Sequence, residues 1–443
     1  MRTLVYGLGE SGVAATRALI ERREEVRAAD ANDGERLRET LAELGVEGDL
    51  AAGPEVLSGT DRVVVSPGVP PLDPVLRTAH ERGILVVSEV ALGLELLGPG
   101  VRVAAVTGTN GKTTVVDMLR AVLDASGVPN AVAGNSWRAL TGCLEEVRRA
   151  GILILEVSSF QLHYMRHPGF EIAALLNVRP DHLNWHASFE EYAADKLRVF
   201  EDQREDDLAL VSARDPIGRN AAADLAAEVL VVGEGETAIR DGSLLLRGTA
   251  LLDAGELRFA GLHNHENALF AAAAAERLGA APEGIVAGLL AYGLRPHRMQ
   301  VVVEREGVTY VDDSKATNPA AVVAALGSFE SPVVLILGGS EKDTDFSELL
   351  PLLGGCRAVV CQGEAGPRIA ASLEREGWGG IVYRARDLSE AVAEAGSRAR
   401  PGDVVLLSPG CASFDQFDGY AERGEAFGRL VRGLACGRGS VGR

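Results

Sequence analysis

The segment VAAVTGTNGKTTVVDMLRAVL, residues 103–123, leaves little freedom in what can be built around it. A hydrophobic strand runs straight into a glycine-rich loop, a lysine, two threonines and an amphipathic helix, which is the order of a P-loop. The usual pattern G-x-x-x-x-G-K-[ST] is broken once, because Val106 stands where the first glycine should be. The mechanics survive that change. Backbone N–H groups of Gly108, Thr109, Asn110, Gly111 and Lys112 can cradle phosphates, Lys112 can reach the β and γ oxygens, and the Thr113 hydroxyl, with Thr114 beside it, can take Mg²⁺. A chain containing this unit is expected to bind ATP on a parallel sheet.

Strand-like and helical stretches alternate on both sides of it. TLVYG, EVRAAD, RVVVSPG and LVVSE come first, and ILILEVSS, IAALLNV and DLALVS follow the P-loop strand. A last set contains VTYVDDS, VVLILGG, AVVCQG and VVLLSPG. Breaks fall at LLGPGV and at LLAYGLRPHR, and 443 residues are too many for one core. The fold class is therefore α/β with three domains: a Rossmann-like domain over 1–97, a central P-loop parallel-sheet domain over 98–293, and a C-terminal Rossmann-like domain over 294–443.

Composition removes several functions. A formal charge of −19 argues against a nucleic-acid partner, and it requires that a bound anion be held by local positive groups or a metal. No apolar run is long enough to span a bilayer, and MRTLVYGLGE reads as a strand instead of a signal peptide, so a soluble cytoplasmic protein is expected. The five cysteines have no CxxC spacing, which disfavours a disulfide framework or zinc site.

Other motifs carry chemistry with less specificity. Gly7-x-Gly9-x-x-Gly12 after the first strand, with Asp30 ending the next, fits a dinucleotide fingerprint. The same glycines serve NAD, FAD or a UDP-sugar, since any phosphate can approach such a turn, and they can also be packing alone. Glu156 ends a buried strand where an acid helps hold Mg²⁺, or caps a helix. His182 and His186 have the i, i+4 spacing of a zinc pair but lack a third ligand, so His182 reads as a magnesium or phosphate neighbour and His186 as ordinary. Asn264 and Asn267 open a helix as purine contacts or caps. Only four of the 44 basic residues are lysines, and all four, Lys112, Lys196, Lys315 and Lys342, fall in such segments. Lysine where arginine is the rule suggests a need for a compact ammonium or an amine that can lose its proton.

Taken together, TGTNGKTT, EVSSFQL, DHLNWH, DKLRVF, HNHENALF and PHRMQ resemble the Mur ligases of peptidoglycan synthesis, and the resemblance covers the whole chain. Within that family DDSKATNP and LSPGCASFDQF are similar to the branch that adds D-glutamate. The resemblance implies that the first domain binds the UDP of UDP-N-acetylmuramoyl-L-alanine instead of NAD, through Ser11, Asp30 and Gly68, with Asn135, Ser158 and Gln161 toward the sugar or pyrophosphate. It implies one Mg²⁺ on Thr113 and Glu156, and a second on His182 and a carbamylated Lys196. Asn267, Arg298 and Asp313 match nucleotide positions, whereas Lys315, Thr317, Lys342 and Ser413 match the pocket for D-glutamate's carboxylates. Lys112, Lys196, His182 and Arg298 are the expected catalytic groups of a monomeric, ADP-forming ligase. This chain departs from the family pattern in reading GNSW for GNIG, in placing Ala31 and Asn32 after Asp30, and in placing Tyr420 where phenylalanine is common.

The implied chemistry explains the residue types. A carboxylate has no usable leaving group until ATP converts it to an acyl phosphate, which the amine of D-glutamate then attacks. Two anions must first meet, so cations are needed. An uncharged lysine amine can add CO₂ and become an anionic metal ligand, which a guanidinium cannot. Three other readings explain less. A folylpolyglutamate-synthase-like ligase lacks the first domain and DSKATNP, an NTPase switch leaves Lys196 and CASFDQF unused, and a dehydrogenase leaves Lys112 unused.

Overall fold

The computed structural model describes residues 1–182, 185–259, 261–293, 295–329, 331–341 and 345–434. The chain forms two compact units, Met1–Leu257 with His265–Tyr292, and Arg258–Asn264 with Gly293–Arg443.

The first unit contains two parallel sheets. One is built from β1 (Arg2–Tyr6), β2 (Glu25–Ala29), β3 (Glu47–Asp49), β4 (Arg62–Val65) and β5 (Leu85–Ser88), in the order β3-β2-β1-β4-β5. The other is built from β6 (Arg102–Thr107), β7 (Ala131–Gly134), β8 (Ile152–Glu156), β9 (Ile172–Leu175), β10 (Leu208–Ser212) and β11 (Glu228–Val232), in the order β11-β10-β9-β6-β8-β7. Strands such as ILILE are buried along their whole length, as expected for a parallel sheet covered on both faces. Leu153, Leu155, Ala173 and Leu175 join helix residues such as Tyr192 and Val199 in one core cluster. A small antiparallel meander of β12 (Ile239–Arg240), β13 (Ser243–Leu246) and β14 (Thr249–Asp253) completes the unit.

Both sheets reverse their winding direction beside their first strand, and ligands of open α/β sheets bind outside the carboxyl ends at such a point. In the first sheet this puts the Gly7–Gly12 turn beside the segment after β4. In the second it gathers the ends of β6, β7, β8 and β9.

The second unit holds β15 (Gln300–Arg305), β16 (Val308–Asp312), β17 (Val333–Gly338), β18 (Cys356–Gln362), β19 (Val382–Arg384) and β20 (Val404–Leu407), in the order β15-β16-β20-β17-β18-β19. Only β15 runs antiparallel to its neighbour. Glu306 and Gly307 connect it to β16 with φ of 51° and 75°, the left-handed pair that a tight hairpin demands. Apolar clusters cover both faces, one around Leu335 and Leu406 and one around Ile336 and Leu407.

Candidate active site

At the end of β1, the Gly12 position lies against the preceding turn: a Cβ there would come within 1.9 Å of the Gly7 carbonyl oxygen. That close approach opens a cavity of about 430 Å³, lined by Gly7, Gly9, Ser11, Asp30, Asn32 and Gly68 among others. Asp30 is engaged within it, accepting from the backbone N–H of Leu8 at 2.8 Å and of Asn32 at 2.9 Å. The Asn32 amide also donates to Asp30 at 3.1 Å, so this departure from the family pattern supplies a polar wall.

The loop after β6 is held from two sides. The Thr109 N–H donates to the Asn177 carbonyl at 2.9 Å, and Asn177 pairs with both backbone groups of Asn110 at 2.9 and 3.1 Å. Gly111 has φ of 88°, and a Cβ there would lie 2.9 Å from the side-chain oxygen of Asn267, so glycine alone lets the loop pass this close to the amide. The helix Lys112–Ala125 starts directly beyond, with Thr113 and Thr114 buried in its first turn.

Two lysines meet at this loop. Lys112 Nζ donates to the carbonyls of Gly108 at 2.7 Å and Thr109 at 3.0 Å. Lys196 Nζ, from the helix Phe189–Leu197, donates to the same Gly108 carbonyl at 2.9 Å. Lys196 is only 2% exposed, and its pKa falls well below the ordinary lysine range because burial disfavours the ammonium and Lys112 repels it. Tyr192 lies one turn before it. Its hydroxyl is 3.0 Å from Thr109 Oγ1 and its ring centroid 4.7 Å from Lys196 Nζ, and burial raises its pKa above the ordinary phenol range.

Glu156, at the end of β8, is fully buried and surrounded by donors from the turn after β7. Asn135 Nδ2 donates to its Oε1 at 3.0 Å, Ser136 Oγ to Oε1 at 2.8 Å, and Trp137 Nε1 to Oε2 at 3.2 Å. Ser136 Oγ is also 3.5 Å from Thr113 Oγ1, so two hydroxyls and a carboxylate converge. That all-oxygen donor set suits a hard cation such as Mg²⁺. Ser158 and Gln161 form a capping box on the next helix, with Gln161 Oε1 accepting from the Ser158 N–H at 2.9 Å. His182 is exposed, with a left-handed φ of 55° that a non-glycine residue adopts only at a cost. His186 is buried, 3.0 Å from Ser159 Oγ.

In the second unit, the loops after β16, β17 and β20 are stitched by backbone bonds such as Gly338 N to Pro409 O and Gly410 N to Ala316 O. Arg298 is flanked by His297 and Met299, whose φ values are 66° and 47°. Asp313 accepts from the Met299 N–H at 3.2 Å and from Ser408 Oγ at 2.9 Å. Burial pushes its carboxyl up to about 7, against the lowering effect of those bonds and of Arg298. Lys315 Nζ lies 4.0 Å from the centroid of the Tyr420 ring, a cation–π contact made by the residue that departs from the family pattern. Ser413 is buried, and its carbonyl accepts from the N–H groups of Gln416 and Phe417, while Thr317 is half-buried. Lys342 lies outside the described residues.

Three family models match successive parts of the chain: a Mur ligase MurD-like N-terminal domain over residues 1–88, the Mur ligase middle domain over 106–275 and the Mur ligase glutamate ligase domain over 297–411. A UDP-N-acetylmuramoylalanine--D-glutamate ligase from Rubrobacter xylanophilus is 72% identical over 99% of this chain and 100% of its own length. The chain belongs to the Mur ligase family. Another ligase of the same description, from Symbiobacterium thermophilum, is 36% identical over 98% of each chain. Among solved structures, a MurF ligase from Thermotoga maritima in complex with ADP matches with a TM-score of 0.61 at 18% identity, covering 93% of this chain and 96% of that one. That likeness concerns the fold.

Within this Mur ligase, the structure gathers Ser11, Asp30 and Gly68 at one cavity, and Lys112, Thr113, Asn267, Glu156 and Lys196 around one loop. Sequence reasoning missed Asn177, Tyr192, Ser136 and Arg423. Arg423 is fully buried and donates to Ser314 Oγ and to the carbonyls of Ser314, Cys411 and Ala412. It ties DDSKATNP to CASFDQF. As one of three arginines in the helix Tyr420–Gly433, Arg423 carries no sequence signal of that burial.

Proposed function

We propose that this Mur ligase joins D-glutamate to UDP-N-acetylmuramoyl-L-alanine with conversion of ATP to ADP and phosphate, in the synthesis of peptidoglycan precursors. What carries the reading is the pairing of Lys112 and Lys196 on a single P-loop carbonyl beside Thr113 and Glu156, in a chain similar throughout to D-glutamate ligases. In the reaction, an oxygen of the substrate carboxylate attacks the γ-phosphorus of ATP and ADP leaves. The uncharged amine of D-glutamate then attacks the acyl phosphate, the C–O bond to phosphate breaks, and an amide remains.

The backbone of Gly108 to Lys112 cradles the phosphates in this reading, and Lys112 exchanges its carbonyl partners for phosphate oxygens. Mg²⁺, when bound, supplies positive charge between the reacting anions. Thr113 and Glu156 would hold it at one position, and His182 and Lys196 at a second. Burial and the neighbouring Lys112 lower the Lys196 pKa and so favour its uncharged amine, the form that adds CO₂ and loses a proton to give a carbamate. The cavity with Ser11, Asp30 and Gly68 takes the UDP group, and Asn135, Ser158 and Gln161 serve the sugar or pyrophosphate. Asn267, Arg298 and Asp313 serve the nucleotide, whereas Lys315, Thr317, Lys342, Ser413 and Tyr420 serve D-glutamate. The domain bounds proposed are 1–97, 98–293 and 294–443. Supporting the first is the end of helix Glu89–Leu97 at Gly98, whose φ of 70° stops the helix there. Among the described residues no helix is long and apolar enough to cross a membrane, and the protein is proposed to act as a cytoplasmic monomer.

The test is phosphate release from ATP and UDP-N-acetylmuramoyl-L-alanine with a panel of amino acids. D-glutamate alone should support turnover. Equal release with L-glutamate, or preference for a diamino acid, would refute the assignment.

A further inference from the structure

The turn after β7 does more than connect a strand to a helix. Its backbone is already closed, by Trp137 N to Gly134 O at 2.9 Å, Gly134 N to Arg138 O at 3.0 Å and Asn135 N to Glu156 O at 2.9 Å. The side chains of Asn135, Ser136 and Trp137 are therefore not needed to make the turn. All of them nevertheless donate to the Glu156 carboxylate.

A carboxylate offers about four lone-pair sites on its two oxygens. Asn135 and Ser136 occupy those of Oε1, and Trp137 takes one on Oε2. One acceptor site is left, on an oxygen whose orientation is fixed from both sides. The Ser136 hydroxyl also stands 3.5 Å from Thr113 Oγ1, the other oxygen of the same cluster. Asn135 and Ser136 are exposed, so the outer side of the turn meets solvent while Glu156 lies buried directly behind it. The serine and the tryptophan are the two residues by which GNSW differs from GNIG. An isoleucine and a glycine at those places have no side-chain donor, so this clamp belongs to the present chain and not to the family pattern.

We propose that Ser136 and Trp137 are positioning residues that fix Glu156 for a divalent cation, with Ser136 linking the carboxylate to the Thr113 hydroxyl. Donors to a metal-binding carboxylate orient it, and removing such a partner typically weakens metal binding by about 10- to 100-fold. This inference rests on the reading of Thr113 and Glu156 as magnesium ligands.

The experiment is a manganese titration of the full chain, followed by electron paramagnetic resonance, with a non-hydrolysable ATP analogue present. Ser136→Ala and Trp137→Phe should each raise the manganese dissociation constant about tenfold or more, and Ser136→Thr, which keeps the hydroxyl, should restore it to within about threefold. Trp137→Phe retains the ring and loses only the N–H, so unfolding temperatures measured without metal should match the unaltered chain. Manganese affinities unchanged in both variants, with the unaltered chain binding normally, would overturn the positioning role alone. No manganese binding by the unaltered chain would instead overturn the magnesium reading on which the role depends.

Discussion

Asp313→Asn isolates one buried charge. The Asp313 carboxyl is 8% exposed and its pKa is pushed up to about 7 from an ordinary 3.8, with burial the largest cause. A folded-state pKa above the unfolded one means the folded protein keeps a proton that the unfolded chain has lost. The associated stability is complete below about pH 4, declines as the pH rises toward 7, and is gone above it. The difference between about 7 and 3.8, at about 1.4 kcal/mol per tenfold change in proton concentration, amounts to roughly 4 kcal/mol. Asparagine stays neutral at every pH, but its amide can offer only one acceptor oxygen to the Met299 N–H and Ser408 hydroxyl that Asp313 now serves, at a cost of about 1 kcal/mol. Asp313→Asn should therefore exceed the unaltered protein in stability by about 3 kcal/mol at pH 8, and fall below it by about 1 kcal/mol at pH 4. Urea unfolding followed by tryptophan emission from pH 4 to 8 measures the difference. Parallel stability profiles for the two proteins would show that Asp313 is not held against its charge and would refute the reasoning.

Two further predictions concern Lys196 and Arg423. Lys196→Ala should abolish turnover, and acetate or formate should restore part of it by occupying the space of a carbamate; activity that no small carboxylate restores would count against the carbamate. Lys196→Arg is a poor control, because at 2% exposure a permanent charge and added atoms would disturb folding as well as chemistry. Arg423→Met leaves the carbonyls of Ser314, Cys411 and Ala412 without their donor, so stability should fall by about 3 kcal/mol or more and the KM for D-glutamate should rise. Unchanged calorimetric stability would show that the buried guanidinium is not what joins the loops.

Much of the architecture was written in local pattern. Near-continuous apolar runs such as ILIL and VVLILG sit within parallel pairings, and each glycine-rich signal falls at a strand's carboxyl end, where the fold needs a tight turn. The meander β12–β14 and the strand β15 were not legible, because the meander strands are short and β15 is an edge strand whose three valines are flanked by polar residues. The sites divide in the same way. Lys112 and Thr113 are adjacent in sequence and carry a spacing that can be recognised, as does the Gly7–Gly12 turn. Tyr192 and Asn177 act on the P-loop from elements 83 and 67 residues away, through pairings that only the folded sheet creates. Asp30 and Asn135 were expected at ligand sites, and the structure shows in addition what holds their side chains: the Leu8 and Asn32 N–H groups for one, Glu156 for the other. Trp137 was the least interpretable departure in the sequence and gained a partner once Glu156 was placed beside it.

Activation of the substrate carboxylate as an acyl phosphate leaves an isotopic record. UDP-N-acetylmuramoyl-L-alanine labelled with ¹⁸O in the alanine carboxylate is turned over with ATP and D-glutamate, and the released phosphate is analysed by mass spectrometry. One ¹⁸O should appear in each phosphate, because the oxygen that attacked phosphorus leaves with it when the amine displaces the acyl group. Amide formation with unlabelled phosphate would contradict the account.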